Sequence, residues 1–153
     1  MKNEKQNLSK DFTLEEFIPY RLAVLAKSVS TAFSKTYVKR FGITVPQWRV
    51  LAAIGRDPYC TASSIVEHAA MDKVQVSRAV AGLLGMGLLE SNINKNDKRS
   101  AVLNFSEKGQ SIYDQIVPAG LDFEAKLMSV LNSEDLEQTH KLFTKLTSQV
   151  NKL

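Results

Sequence analysis

For most of its length the chain repeats apolar residues every three or four positions, the spacing that gathers them on one face of a helix. That spacing lapses once. Between Gly87 and Ser106 two short runs, "GLLESNI" and "SAVLNFS", bracket the heptapeptide "NKNDKRS". In the second run Ala101, Leu103 and Phe105 alternate as the apolar face of a strand does. One polar segment between strand-like runs around residues 88–93 and 100–105 predicts a β-hairpin. Asn94, Asn96 and Asp97 suit its tip on turn chemistry alone. Lys95, Lys98 and Arg99 add charge, so the tip reads either as a solvated turn or as a contact for a polyanion.

The helices around it have recognisable starts. "TLEE" sets Thr13 three residues before Glu16, a capping box for a short turn, and Pro19 suits the first turn of the helix that follows. That helix carries Leu22, Leu25, Val29, Ala32, Phe33 and Tyr37 as one stripe and ends at Gly42, with more apolar surface than one small domain can cover. Thr44 and Pro46 open a second helix with Val50, Leu51 and Ile54 buried, stopping near Asp57 and Pro58. A third is short and capped by Thr61 or Ser63. The fourth has Asp72 as N-cap, Val76, Val80, Leu83 and Leu84 inward, and Gly87 at its end. Beyond the hairpin, Ser106 starts a helix running to Asn132 with a kink at Pro118. A last helix from Ser133 presents Leu136, Leu142, Phe143, Leu146 and Val150.

The expected fold is therefore mainly α with a small β-hairpin (α+β): a winged helix-turn-helix with long N- and C-terminal helices. One domain is expected over residues 1–153, with dimerisation helices at 13–41 and 107–153 and a DNA-binding lobe at 44–105. The chain of 153 residues, 44% hydrophobic and 24% charged, is rich enough in apolar residues for such a core. Its formal charge of +4 favours a polyanionic partner without proving one. The single cysteine, Cys60, allows no intramolecular disulfide. With no apolar leader in "MKNEKQNLSKDF" and no membrane-length apolar run, a soluble, cytoplasmic chain without a membrane partner is expected.

In the run "MDKVQVSRAVAGLLGMGLLE", followed by "NKNDKRSAVLNFSEKG", the order D-x-x-x-V-S-R, "GLL", D-x-R-S and "SEKG" resembles the MarR family of bacterial regulators, from about residue 14 to 150. The segments "FIPYRLAVL" and "FGITVPQWRVLAAIGR" look like the subgroup that governs aromatic-acid and hydroxycinnamate breakdown. The resemblance implies a homodimeric transcription factor on double-stranded, palindromic operator DNA. It also implies a repressor released by a small aromatic or anionic ligand, such as an aromatic carboxylate or its coenzyme A thioester. The dimer would form from the first and last helices.

Within that frame the fourth helix lies in the major groove. Lys73, Gln75, Ser77 and Arg78 face away from its apolar stripe; Gln75 can meet an adenine edge, and Arg78 guanine or phosphate. Ser63 and Ser64 are placed for phosphate contacts at the start of the third helix. At the wing tip Arg99 enters the minor groove, Asp97 orients it, and Lys95 and Lys98 supply general phosphate attraction. For the effector, Tyr20, Arg21, Trp48 and Arg49 offer rings for stacking and guanidinium groups for a carboxylate; Trp48 could equally be core.

Cys60 reads as a buried, inert thiol, since no cation marks it as a thiolate. His68 and His140 have no ligand-spaced partners, so no metal or other cofactor is inferred. No phosphate loop or nucleophile triad is present, which argues against an enzyme. A winged helix that docks on protein is the alternative. The polar face of the fourth helix and the cationic tip speak against it, because protein-docking versions expose apolar residues there.

Overall fold

Polar pairs three residues apart set the helix starts. The computed structural model describes residues 12–93 and 100–153. Four helices begin with a reciprocal capping box: Thr44 with Gln47, Thr61 with Ser64, Asp72 with Gln75, and Asn132 with Asp135. In each, the cap side chain accepts the backbone N–H of the third helical residue, whose own side chain accepts the N–H of the cap. Thr61, not Ser63, caps its helix. The box expected at Thr13 and Glu16 does not form. The Thr13 carbonyl takes the N–H groups of Glu16 and Phe17, and Leu14–Glu16 is a single 3-10 turn with no side-chain cap.

In chain order the helices and strands are α1 (Ile18–Ser34), α2 (Val38–Phe41), α3 (Val45–Arg56), β1 (Cys60–Thr61), α4 (Ala62–His68), α5 (Lys73–Gly85), β2 (Leu89–Ile93), β3 (Ala101–Phe105), α6 (Glu107–Met128) and α7 (Ser133–Val150). The first helix is shorter than its apolar stripe predicts. Lys35, Thr36 and Tyr37 donate to carbonyls three residues back. The hydroxyls of Ser34 and Thr36 donate to Thr31 and Phe33 at 2.8 Å each. Side chains competing for the carbonyls close α1 early, and α2 follows as a separate turn that stops at Gly42.

The sheet has three strands, not two, in the order β1-β3-β2 and antiparallel throughout. Leu89 lies opposite Phe105 and Ile93 opposite Ala101 in the hairpin. The added strand pairs Cys60 with Leu103 and Thr61 with Val102, entered through Tyr59 at φ 63°. Of the predicted strand face only Leu103 is buried; Phe105 is half-buried and Ala101 exposed.

The core is built by Val50, Leu51 and Ile54 of α3, Ile65 of α4, Val76, Ala79, Val80 and Leu83 of α5, and Leu88, Leu89 and Leu103 of the hairpin. Burying each such aliphatic side chain fully stabilises the fold by about 1.5–3 kcal/mol. Leu84, expected inside, is 36% exposed; Ala79 takes the inward place, because position 84 falls a further ~100° round the helix from Leu83.

Gly87, at φ 69°, ends α5. Its N–H donates to Leu84 and that of Leu88 to Leu83, the paired bonds of a Schellman motif that requires a left-handed residue. The start of α6 is clamped onto this turn. Ser106 donates its N–H to Leu88 and its hydroxyl to Gly87, and Lys108 Nζ donates to Met86. A Cβ on Gly109 would fall on the Leu88 carbonyl, 2.8 Å from its carbon and closer still to its oxygen.

Cα proximity divides the chain into two compact units, Met1–Tyr113 and Asp114–Leu153. The first contains the whole 44–105 segment. In the second, α6 runs on unbroken through Pro118 and stops at Met128, short of the expected Asn132. A turn with bonds from Ser129 to Lys126 and Leu131 to Met128 leads into α7.

Candidate nucleic-acid interface

The turn between α4 and α5 determines how α5 is presented. Ala70 sits in the left-handed region at φ 49°, a conformation that costs a residue with a Cβ about 1 kcal/mol or more. Arg49 on α3 donates from Nη1 to the Ala70 carbonyl at 3.3 Å. Buried Met71 anchors the next residue, and Asp72 accepts the Gln75 N–H at 2.8 Å. Anchored so, α5 buries Val76, Ala79, Val80 and Leu83 and turns its other side to solvent.

All four predicted α5 residues, Lys73, Gln75, Ser77 and Arg78, are exposed. They are not equally available. The Gln75 Oε1 accepts the Asp72 N–H at 3.4 Å, whereas a bidentate contact with adenine needs both ends of the carboxamide. Adenine readout by Gln75 would therefore cost half the capping box. Val74 and Ala81 also stand exposed on this helix; a reading that sorts residues by polarity passes over them, although the helical spacing from Arg78 could have found both.

Ser63 is exposed at the second position of α4. Ser64 is half-buried and already committed: its hydroxyl donates to the Thr61 carbonyl at 2.9 Å and accepts the Thr61 N–H at 3.2 Å. Lys95, Asp97, Lys98 and Arg99 lie outside the described residues. What is described of the wing is its base, with Ile93 opposite Ala101 at the end from which residues 94–100 continue.

The four effector candidates are not brought together. Trp48 belongs to an aromatic cluster, with ring centroids 5.6 Å from Phe33, 5.7 Å from Tyr37 and 6.0 Å from Tyr113, the last stacked. Phe105 on β3 extends the cluster at 5.0 Å from Tyr113. Tyr37 is 1% exposed; burial pushes its phenol up, and the Arg49 charge partly offsets this. Tyr20 and Arg21 lie exposed near the start of α1. From Tyr20 to Phe33 the helix rises roughly 20 Å at about 1.5 Å per residue, so Tyr20 and Trp48 of one chain sit at opposite ends of α1. Cys60 is buried on β1. Burial first, and Asp57 second, push its thiol up, which disfavours the reactive thiolate.

Comparisons with known proteins agree with this geometry. Residues 41–100 match the model of the MarR family, over α3, the helix-turn-helix and the start of the wing. The HTH-type transcriptional regulator BilQ of Clostridium symbiosum is 27% identical over 116 residues, 76% of this chain and 81% of the relative. A MarR/EmrR family transcriptional regulator from Acinetobacter sp. ADP1 superposes with a TM-score of 0.84 at 25% identity, over 93% of this chain and all of the other. A MarR mutant from E. coli, solved in complex with operator DNA, shares the fold at a TM-score of 0.76 and 23% identity, over 89% and 99% of the two chains. With the winged helix-turn-helix in place and the match seated on it, the chain is similar to DNA-binding transcriptional regulators of the MarR family.

Proposed function

We propose that the protein binds a palindromic duplex operator as a homodimer, with α5 in the major groove and the wing beside it, and acts as a repressor that a small aromatic or anionic ligand releases. The observation that carries this reading is the solvent-facing side of α5. Lys73, Ser77 and Arg78 project from a helix whose other face is core and whose first turn is capped. Groove contacts require such a rigid, cationic presentation. A dimer is supported by apolar residues left uncovered in one copy. Neither α1 nor α7 contains a buried residue. Ile18, Leu22 and Leu25 are exposed on α1, and Leu142, Phe143, Leu146 and Val150 on α7. Exposed apolar surface of this kind marks an interface.

For the effector, Trp48 and Arg49 are already engaged by the aromatic cluster and by Ala70, so Tyr20 and Arg21 are the better candidates. A ligand that releases DNA must bind the DNA-incompetent arrangement more tightly than the competent one. A panel of aromatic carboxylates and their coenzyme A thioesters, titrated into a gel shift, would identify it; a shift that none of them alters would refute release by this class.

The DNA reading is tested by fluorescence anisotropy on the promoter fragment beside the gene. Arg78→Ala should weaken binding by on the order of 1–3 kcal/mol and relax sequence preference, and Arg99→Ala should weaken specific and non-specific duplexes alike. Affinity should fall steeply as salt rises, which a protein-docking module would not show. Unchanged titrations for both variants would overturn the assignment.

A further inference from the structure

The centre of the solvent-facing side of α5 is occupied by an aliphatic residue. Val74, Arg78 and Ala81 follow one another at spacings of four and three, directly opposite the buried stripe of Val76, Ala79, Val80 and Leu83. Val74 is 56% exposed. At that exposure it adds little to the core, and a β-branched residue on a helix surface is a weaker helix former than most. Its neighbours Lys73, Ser77 and Arg78 are polar, so the valine is an isolated apolar point in a cationic face rather than part of an apolar patch.

We infer that Val74 reads a thymine through its C5 methyl group, an inference that rests on α5 lying in the major groove. The thymine methyl is the apolar feature of that groove, and side-chain methyl groups are its ordinary partners. Val74 is the second residue of α5, and the first turn of a recognition helix is the part that meets base edges. The Asp72–Gln75 capping box spans it, and a valine in a helix holds one strongly preferred rotamer. The contact is therefore built in advance. The same box engages the Gln75 oxygen, so recognition of an A·T pair on this turn falls to Val74. Arg78 lies one turn on, roughly 6 Å along the axis at about 1.5 Å per residue, close to two base-pair steps of about 3.4 Å. The thymine should sit within about two base pairs of the group that Arg78 contacts.

The test begins by selecting preferred duplexes from a randomised library with the full-length protein. Each thymine of a selected half-site is then replaced by deoxyuridine, which keeps base pairing and removes only the methyl, and binding is followed by anisotropy. The wild type should lose roughly fourfold in affinity at one thymine, the value of burying one methyl-sized group. Val74→Ala, with its helix content checked by circular dichroism, should bind the thymine duplex weaker by a similar factor and no longer distinguish thymine from uracil there. A wild type indifferent to uracil at every position would overturn the inference while leaving α5 as a DNA-binding helix, and so would a Val74→Ala variant that keeps the discrimination. A wild type that selects no preferred duplex would overturn the major-groove reading itself, and this inference with it.

Discussion

Replacing Gly109 with alanine reverses an ordinary expectation about helices. Gly109 lies in the first turn of α6, and on propensity alone alanine at a helical glycine gains up to about 1 kcal/mol. Here the added methyl would meet the backbone of Leu88, which is fully buried and fixed by the Schellman turn. Its carbonyl cannot swing away like a flexible side chain, and it accepts the Ser106 N–H at 3.1 Å. Overpacking of this kind costs about 1–3 kcal/mol, and parting α6 from the turn weakens a hydrogen bond worth about 1 kcal/mol. Against the propensity gain, the net loss is about 2 kcal/mol. For a chain of 153 residues that lowers Tm by roughly 4–8 °C, at about 2–4 °C per kcal/mol. Gly85→Ala is the control: it is helical with no atom within 4 Å of its added Cβ, so its melting temperature should stay level or rise. Circular dichroism melts of the two variants beside the wild type decide the matter. A Gly109→Ala protein that melts at or above the wild type would refute the close approach of α6 to the hairpin.

Two further perturbations test other joints of the fold. Asp72→Ala removes the cap of α5 and should cost about 1 kcal/mol, seen as a fall of roughly 2–4 °C in Tm; Asp72→Ser should restore most of it, and equal melts for all three proteins would show that the cap contributes nothing. Alkaline pH should destabilise the native state. Because burial raises the Cys60 thiol and the Tyr37 phenol, the unfolded chain loses each proton first as pH rises. Each contribution is therefore intact below the group's ordinary range, the thiol's being the lower of the two, and is lost as pH climbs from there through the raised folded value. Melts across pH 7–10 should show that decline, with a shallower first part in Cys60→Ala; identical slopes would remove the thiol from the account.

How much of this fold could be read in advance depended on whether an element carries its own signal. Thr44, Asp72 and the Asn132–Ser133 boundary were legible because an N-cap is a local hydrogen-bonding requirement, met by side chains three residues apart. The hairpin was legible because its strands are long enough to alternate. β1 has two residues and no period; it exists because β3 offers an unpaired edge, a fact of tertiary structure. The early end of α1 was written in Ser34 and Thr36, yet their hydroxyls act through carbonyls within a stretch whose apolar spacing runs on. Leu84 differs for another reason: it lies about 100° round the helix from Leu83, at the margin of the buried face, whereas Ala79 lies only about 40° away and is too small to look like core.

The interface raises the harder question of which side chains have something left to give. A polar residue on a predicted outer face looks available, but Ser64 uses its hydroxyl as both donor and acceptor at Thr61, and Gln75 gives its oxygen to the Asp72 N–H. Each such bond stabilises a helix start by about 1 kcal/mol, and a base contact that took the same atom would gain only what exceeds that loss. Lys73, Ser77 and Arg78 are exposed without serving as caps. Val74 is exposed with apolar surface that nothing in the fold of one chain needs. Hydrophobicity patterns assign such a residue to the core by type, whereas helix geometry assigns it to the solvent-facing side. On α5 the geometric criterion is the stronger one, because the inward stripe of Val76, Ala79, Val80 and Leu83 is already complete and leaves no room on that side for another valine.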